Sequence, residues 1–306
     1  MKIVYMGTPD FAVPALRALA EKHEVAAVFT QPDKPVGRKQ ILTPPDVKVC
    51  AQEIGIPVCQ PASMKTPEAL ELLKSFAPDV VVVAAYGQIL PQAVLDVPKY
   101  GCVNIHGSLL PKYRGAAPIQ QAVLNGDSVT GVTTMLMDAG LDTGDILLVK
   151  ETPIGENETS AELFDRLSAL GGELILETLA ALENGTVTPK KQDESLATHT
   201  SKIDKSLCPV DFSRSALQIH NQIRGLYSWP VATATICGKR VKIHRAKLAE
   251  GSGRAGEILS VKPLVIACGE GAIELSELQP EGKKKMTAEA FAAGHKLKTG
   301  ELLSSN

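Results

Sequence analysis

The chain has 306 residues, 44% of them hydrophobic, with 32 Lys+Arg against 34 Asp+Glu and a net charge of −2. That composition excludes collagen-like, disordered and disulfide-scaffold classes, and the length suggests about two domains. No apolar run approaches the roughly 18–20 residues needed to cross a bilayer, and Met1-Lys2 leads straight into Ile3-Val4-Tyr5-Met6; no membrane association, no signal peptide and a cytoplasmic location are therefore expected.

The first half alternates short apolar runs with helical patterns. Lys2–Met6 reads as a buried strand, Phe11–Glu21 as a helix and Glu24–Thr30 as the next strand. Lys65–Phe76 reads as a helix, followed by strands at Asp79–Ala85 and Gly101–His106. Continuous rather than alternating hydrophobicity marks strands covered on both faces, and the βαβ rhythm predicts a Rossmann-like, mostly parallel sheet. Thr130–Asp138 and Asp145–Glu151 then form a hairpin expected at the sheet's edge, and Thr159-Ser160-Ala161-Glu162 is a capping box opening one long helix that stops at Asn184-Gly185.

From Thr186 to Lys205 the chain is polar and weakly patterned. The expected domains are therefore 1–188, a linker over 189–205, and 206–306. The last part begins with a helix at Ser215–Arg224 and continues in short strands at Ala232–Ile236, Arg240–His244, Gly256–Ser260, Leu264–Ala267 and Ile273–Leu278. Strands of that size predict a small, OB-like β-barrel, a type that often binds oligonucleotides. Residues 205–306 hold 15 Lys+Arg and 9 Asp+Glu, a net of +6, leaving −8 on residues 1–204. A basic third on a mildly acidic chain is an electrostatic footprint for a polyanion, although such bias between domains is common.

No G-x-G-x-x-G, P-loop, G-x-S-x-G or H-E-x-x-H pattern is present. The six cysteines hold no C-x-x-C pair and are expected to be reduced, with no metal site. The informative segment runs from Gly101 to Gly115. Asn104 and His106 are two apart at the end of a strand, so both side chains share one face at the carboxyl edge where open α/β sheets bind ligands. An amide donor beside a group titrating near neutrality suits oxyanion stabilisation and proton movement; the same pair also serves as structural hydrogen bonders elsewhere. Asp138, Asp142 and Asp145 lie in a glycine-punctuated loop, where one could orient His106 or accept a proton, and where Asp and Gly are also plain turn residues. The loop 31–49 carries four prolines and the basic Lys34, Arg38 and Lys39, as either a solvated linker or a substrate-gripping lid.

Taken together, Asn104-x-His106-x-Ser-Leu-Leu-Pro111-x-Tyr113-Arg114-Gly115, then Ala117-Pro118-Ile119 and the 138–145 loop, resemble the folate-dependent formyltransferase family. The likeness extends to Gly7-Thr8-Pro9-Asp10-Phe11, Phe29–Asp33, Ala85–Pro91, Pro230-x-Ala232 and Gly282–Met286, essentially the whole chain. Tyr113 stands where many members carry tryptophan. The resemblance implies that Asn104, His106 and Asp142 are the catalytic set. It further implies that Ser108, Leu109, Leu110 and Pro111, with Ile89 and Leu90 as an apolar wall, bind 10-formyltetrahydrofolate, the formyl-donor co-substrate. The acceptor it implies is the α-amino group of methionine on the charged initiator tRNA, reached by Arg38 and Lys39, for translation initiation by a monomeric enzyme that needs no metal. A sugar-nucleotide formyltransferase or a formyltetrahydrofolate hydrolase would keep the same three residues; the +6 third favours the tRNA.

Overall fold

A computed structural model describes residues 1–37 and 39–303. The chain divides into two compact units. The first comprises 1–115, 130–152 and 164–200; the second comprises 116–129, 153–163 and the chain from Ser201 onward.

The first unit is built on a seven-stranded sheet. Its spatial order is Ile146–Pro153, Val129–Leu136, Cys102–His106, Val80–Ala84, Lys2–Gly7, Glu24–Phe29 and Val58–Cys59. The last five of these pair in parallel, and Val129–Leu136 runs antiparallel to Cys102–His106. The unbroken valines of Val80–Ala84 are buried along their whole length, as expected of a strand packed on both faces. Each such side chain contributes about 1.5–3 kcal/mol of burial. Val4, Met6, Phe29, Val81 and Val83 meet Leu73, Leu90 and Val94 in one apolar cluster. Thr66 caps the helix Pro67–Ser75 through its hydroxyl, with a proline in the first turn.

The expected strands and edge hairpin are present, together with smaller elements that carry no sequence pattern. The basic loop contains a two-stranded hairpin, Lys34–Val36 against Ile41–Thr43, with Val36, Ile41 and Leu42 exposed. The polar stretch after the long helix is not a free tether. Its His199–Thr200 pairs in parallel with Arg114–Gly115.

The second unit carries an antiparallel sheet ordered Ala232–Ile236, Lys239–Ala249, Ala272–Pro280, Leu264–Ala267 and Ile258–Val261, with Met286–Thr287 added to Ala272–Pro280. Register shifts between Ile243 and Ala246 bend the long second strand, as bulges do. The helix Ala216–Gly225 opens with a full Ser215/Gln218 capping box and packs on this sheet. The helix Pro118–Asn125 belongs to this unit too: Leu124 packs against a core of Ile219, Ile223, Ile243 and Phe291. In the same unit the Thr159 hydroxyl accepts from the Glu162 amide at 3.3 Å, while the Glu162 carboxylate accepts from the Thr159 amide at 2.9 Å, closing the expected capping box. Among the described residues no helix is long and apolar enough to cross a membrane.

Candidate active site

The strand Cys102–His106 is central and fully buried, so its carboxyl end is a rigid platform. Asn104 and His106 both point from it with only 8% and 6% exposure. His106 Nε2 lies 3.0 Å from the Tyr113 carbonyl oxygen. A carbonyl only accepts, so Nε2 carries the proton and donates, which leaves Nδ1 of the neutral ring as an acceptor. Nδ1 faces Asp142 Oδ2 at 3.7 Å. Two acceptors held that close, beyond direct bonding, form a place to receive a proton. The Asn104 carboxamide makes no side-chain hydrogen bond among the described residues, leaving both its donor and its acceptor for a ligand.

The glycine-punctuated loop divides its acidic residues by task. Asp138 accepts from the Gly140 amide at 2.9 Å and the Thr143 hydroxyl at 2.6 Å, which is turn chemistry. Asp142 instead stands in the left-handed region at φ +55°, and its carboxylate accepts from the Gly115 amide at 2.8 Å. Gly115 has φ +112°, and a Cβ there would meet the Thr200 carbonyl oxygen at 2.5 Å. Only glycine lets the chain pass that close.

The segment between His106 and Gly115 is bound to the scaffold at several points. The Ser108 hydroxyl donates to the Lys112 carbonyl at 2.7 Å, and Ser108 is fully buried. The Thr133 hydroxyl donates to the Ser108 carbonyl at 2.7 Å and accepts from the Leu110 amide at 3.2 Å. Leu110 is buried, and Leu109 and Pro111 are half-buried. Ile89 is 71% exposed whereas Leu90 packs in the core at 3%. Lys39 is exposed at the turn of the hairpin, and Arg38 lies outside the described residues.

Sequence reasoning missed the braces. Arg114, 1% exposed, forms a bidentate pair with Glu194 at 2.9 and 2.7 Å. That pairing holds the Glu194 carboxyl below its usual range. The Tyr113 amide donates to the Thr198 hydroxyl at 2.8 Å, and the Gln192 carboxamide bonds to Arg114, Asp142 and Gly144. No periodicity or motif marks such contacts between residues far apart along the chain. Among the described residues no group of three His, Cys, Asp or Glu could hold a metal ion.

Residues 1–179 match a family model described as formyl transferase, and residues 202–296 match its C-terminal domain. A methionyl-tRNA formyltransferase of Citrifermentans bemidjiense is 51% identical over 99% of this chain and 96% of its own. One of Macrococcus caseolyticus is 50% identical over 96% of each. The chain belongs to the methionyl-tRNA formyltransferase family. In fold, this member of the methionyl-tRNA formyltransferase family is similar to the Helicobacter canadensis N-formyltransferase solved with folinic acid and dTDP-3-aminofucose, at a TM-score of 0.69 and 23% identity over 92% of this chain and 99% of that one. It is also similar to HypX of Aquifex aeolicus solved with tetrahydrofolic acid, at a TM-score of 0.65 and 19% identity. That likeness covers 98% of this chain, which spans about half of HypX (48%).

Proposed function

We propose that this protein transfers the formyl group of 10-formyltetrahydrofolate to the α-amino group of methionine on charged initiator tRNA. The observation that carries the reading is the likeness, over almost all of both chains, to proteins named for that reaction. Folate ligands in the structures of similar fold support the donor. The reaction makes a bond from the methionyl nitrogen to the formyl carbon and breaks the bond from that carbon to N10. One proton leaves the amine and one arrives at N10.

Asn104, His106 and Asp142 are the catalytic set in this reading. The Asn104 carboxamide donates to the formyl oxygen as negative charge develops, a contribution of about 3–4 kcal/mol for one such donor. Nδ1 of His106 and the Asp142 carboxylate take the proton from the attacking amine. The resulting imidazolium keeps its Nε2–H on the Tyr113 carbonyl, so Nδ1–H is the donor it presents to the oxyanion, with the Asp142 carboxylate 3.7 Å away supporting the charge. An α-amino group with an ordinary pKa near 8 is about one-tenth free base at pH 7, so presenting the free amine costs only about 1.4 kcal/mol and holding the reactants in register is the larger demand.

Ile89 supplies exposed apolar surface for the pterin; Leu90 supports it from the core. Leu109, Leu110 and Pro111 line the folate cleft, and buried Ser108 shapes it. Lys39 reaches the tRNA from the turn of the hairpin, and Arg38, outside the described residues, is assigned to the same partner. We read the bulged antiparallel sheet of the second unit as an OB-like barrel gripping tRNA phosphates, within a domain organisation of 1–188, a joining segment over 189–205 and 206–306. The outward face of Lys239–Ala249 presents Arg240, Lys242, Arg245 and Lys247, and Lys283, Lys284 and Lys285 are exposed in the turn following its neighbour. Such charges give salt-dependent, largely sequence-independent affinity. The enzyme acts as a cytoplasmic monomer in this account.

The test uses donor labelled at the formyl carbon. Label recovered as formylmethionine after release from the tRNA is expected; label recovered as free formate would identify a hydrolase and refute the proposal.

A further inference from the structure

Asp142 occupies a backbone region that non-glycine residues disfavour, and its carboxylate must also stand at a set distance from His106. The structure shows what holds it. Gln192 Nε2 lies 2.8 Å from the Asp142 carbonyl oxygen and 2.8 Å from the Gly144 carbonyl oxygen, so both amide protons are spent on this loop. Gln192 Oε1 accepts from Arg114 Nε at 3.1 Å and from Nη2 at 2.9 Å. A guanidinium only donates, so the carboxamide cannot flip. Arg114 is in turn fixed by Glu194 through two further bonds.

Three consecutive residues close the arrangement. The Tyr113 carbonyl accepts from His106, the Arg114 side chain fixes Gln192, and the Gly115 amide donates to the Asp142 carboxylate. The separation between His106 and Asp142 is therefore measured out by one tripeptide and one carboxamide. We propose that Gln192 is a positioning residue for formyl transfer: through the Asp142 and Gly144 carbonyls it sets the Asp142 carboxylate against Nδ1 of His106. The inference rests on the catalytic reading of that pair. A carboxamide from a polar, unpatterned segment thus belongs to the catalytic scaffold without touching the substrates, as groups that orient reacting residues do.

The test is Gln192→Glu, which keeps an acceptor toward Arg114 and replaces both donors with an oxygen facing two carbonyls. Gln192→Leu is the second variant and lacks that repulsion. In either folded variant kcat for formyl transfer should fall about 10- to 100-fold. KM for 10-formyltetrahydrofolate and for methionyl-tRNA should stay within about threefold, since neither binding surface is altered. Hydrogen exchange at the Gly115 amide should accelerate at least about tenfold, because its acceptor is no longer held in place. Wild-type kcat in either folded variant, or a loss expressed only in melting temperature and KM, would overturn the proposal. So would a Gly115 amide that exchanges at the unprotected rate in the unaltered protein, a measurement that needs no variant. Formyl transfer absent from the wild type, with the Gly115 exchange still responding to Gln192, would instead remove the functional reading and leave the brace standing.

Discussion

Replacing Asp142 by asparagine removes one charge and little else. Asparagine is among the few residues that tolerate a positive φ, and its carboxamide oxygen can keep the bond from the Gly115 amide, which Asp142 accepts at 2.8 Å. What disappears is a carboxylate 3.7 Å from His106 Nδ1. At that separation a unit charge pair interacts by about 1 kcal/mol in bulk water and about 4–5 kcal/mol at an effective dielectric of 20. The side chains are 6% and 14% exposed, so the upper part of that range applies. Loss of about 3–4 kcal/mol of support for the imidazolium lowers kcat roughly 200- to 900-fold, before any loss of proton acceptance by Asp142 itself. The assay is single-turnover formyl transfer at saturating donor, with melting temperature as the control for folding. The expected outcome is that kcat falls at least about 100-fold while the melting temperature moves by less than about 3 °C. A variant that retains more than a tenth of wild-type kcat would refute the electrostatic argument. Asp142→Ala should lose the same activity and also stability, because alanine neither tolerates the left-handed backbone nor accepts from Gly115.

Other consequences follow from placement. Ile89→Ser should raise KM for the folate donor about three- to tenfold with little change in melting temperature. Leu90→Ala should cost about 2–4 kcal/mol of stability instead, as urea unfolding would reveal. Arg240→Gln with Lys242→Gln should lower kcat/KM for charged tRNA at low salt and flatten its dependence on salt by about one to two in the log–log slope, leaving KM for folate unaltered. Arg245, then the Thr159 amide and hydroxyl, hold the Glu162 carboxyl down to about 2. A depressed carboxylate contributes stability above its unfolded pKa and loses it as pH falls. Because Glu162 is 47% exposed, solvent screening leaves about 1 kcal/mol. Glu162→Gln should therefore be less stable than wild type at pH 7, with the gap closing between about pH 4.5 and pH 2.

The strands were legible because burial writes itself into composition. Val80–Ala84 and Cys102–His106 are apolar runs, and a strand covered on both faces has no other way to be built. The Thr159/Glu162 box was legible because capping works at a fixed spacing. The division between Asp138 and Asp142 came only from the family resemblance, not from the turn itself. Both are aspartates in one turn, and only their partners, Thr143 for one and Gly115 for the other, separate them. Gln192, Glu194 and Thr198 were missed for the same reason: they bond to groups far along the chain, backbone for Gln192 and Thr198 and the Arg114 guanidinium for Glu194, and such bonds leave no period. The helix Pro118–Asn125 lies outside the C-terminal third in sequence yet belongs to the second unit. Cutting the chain at residue 205 would therefore strip Leu124 of its core, which is why point charges are the cleaner probe of tRNA binding.

Which acceptor takes the formyl group is decided by release of tetrahydrofolate from 10-formyltetrahydrofolate, followed with and without methionylated initiator tRNA at two salt concentrations. Release is expected only when the charged tRNA is present, with a higher KM for that tRNA at high salt than at low salt. Release at the same rate without tRNA would contradict it and point to water or another acceptor.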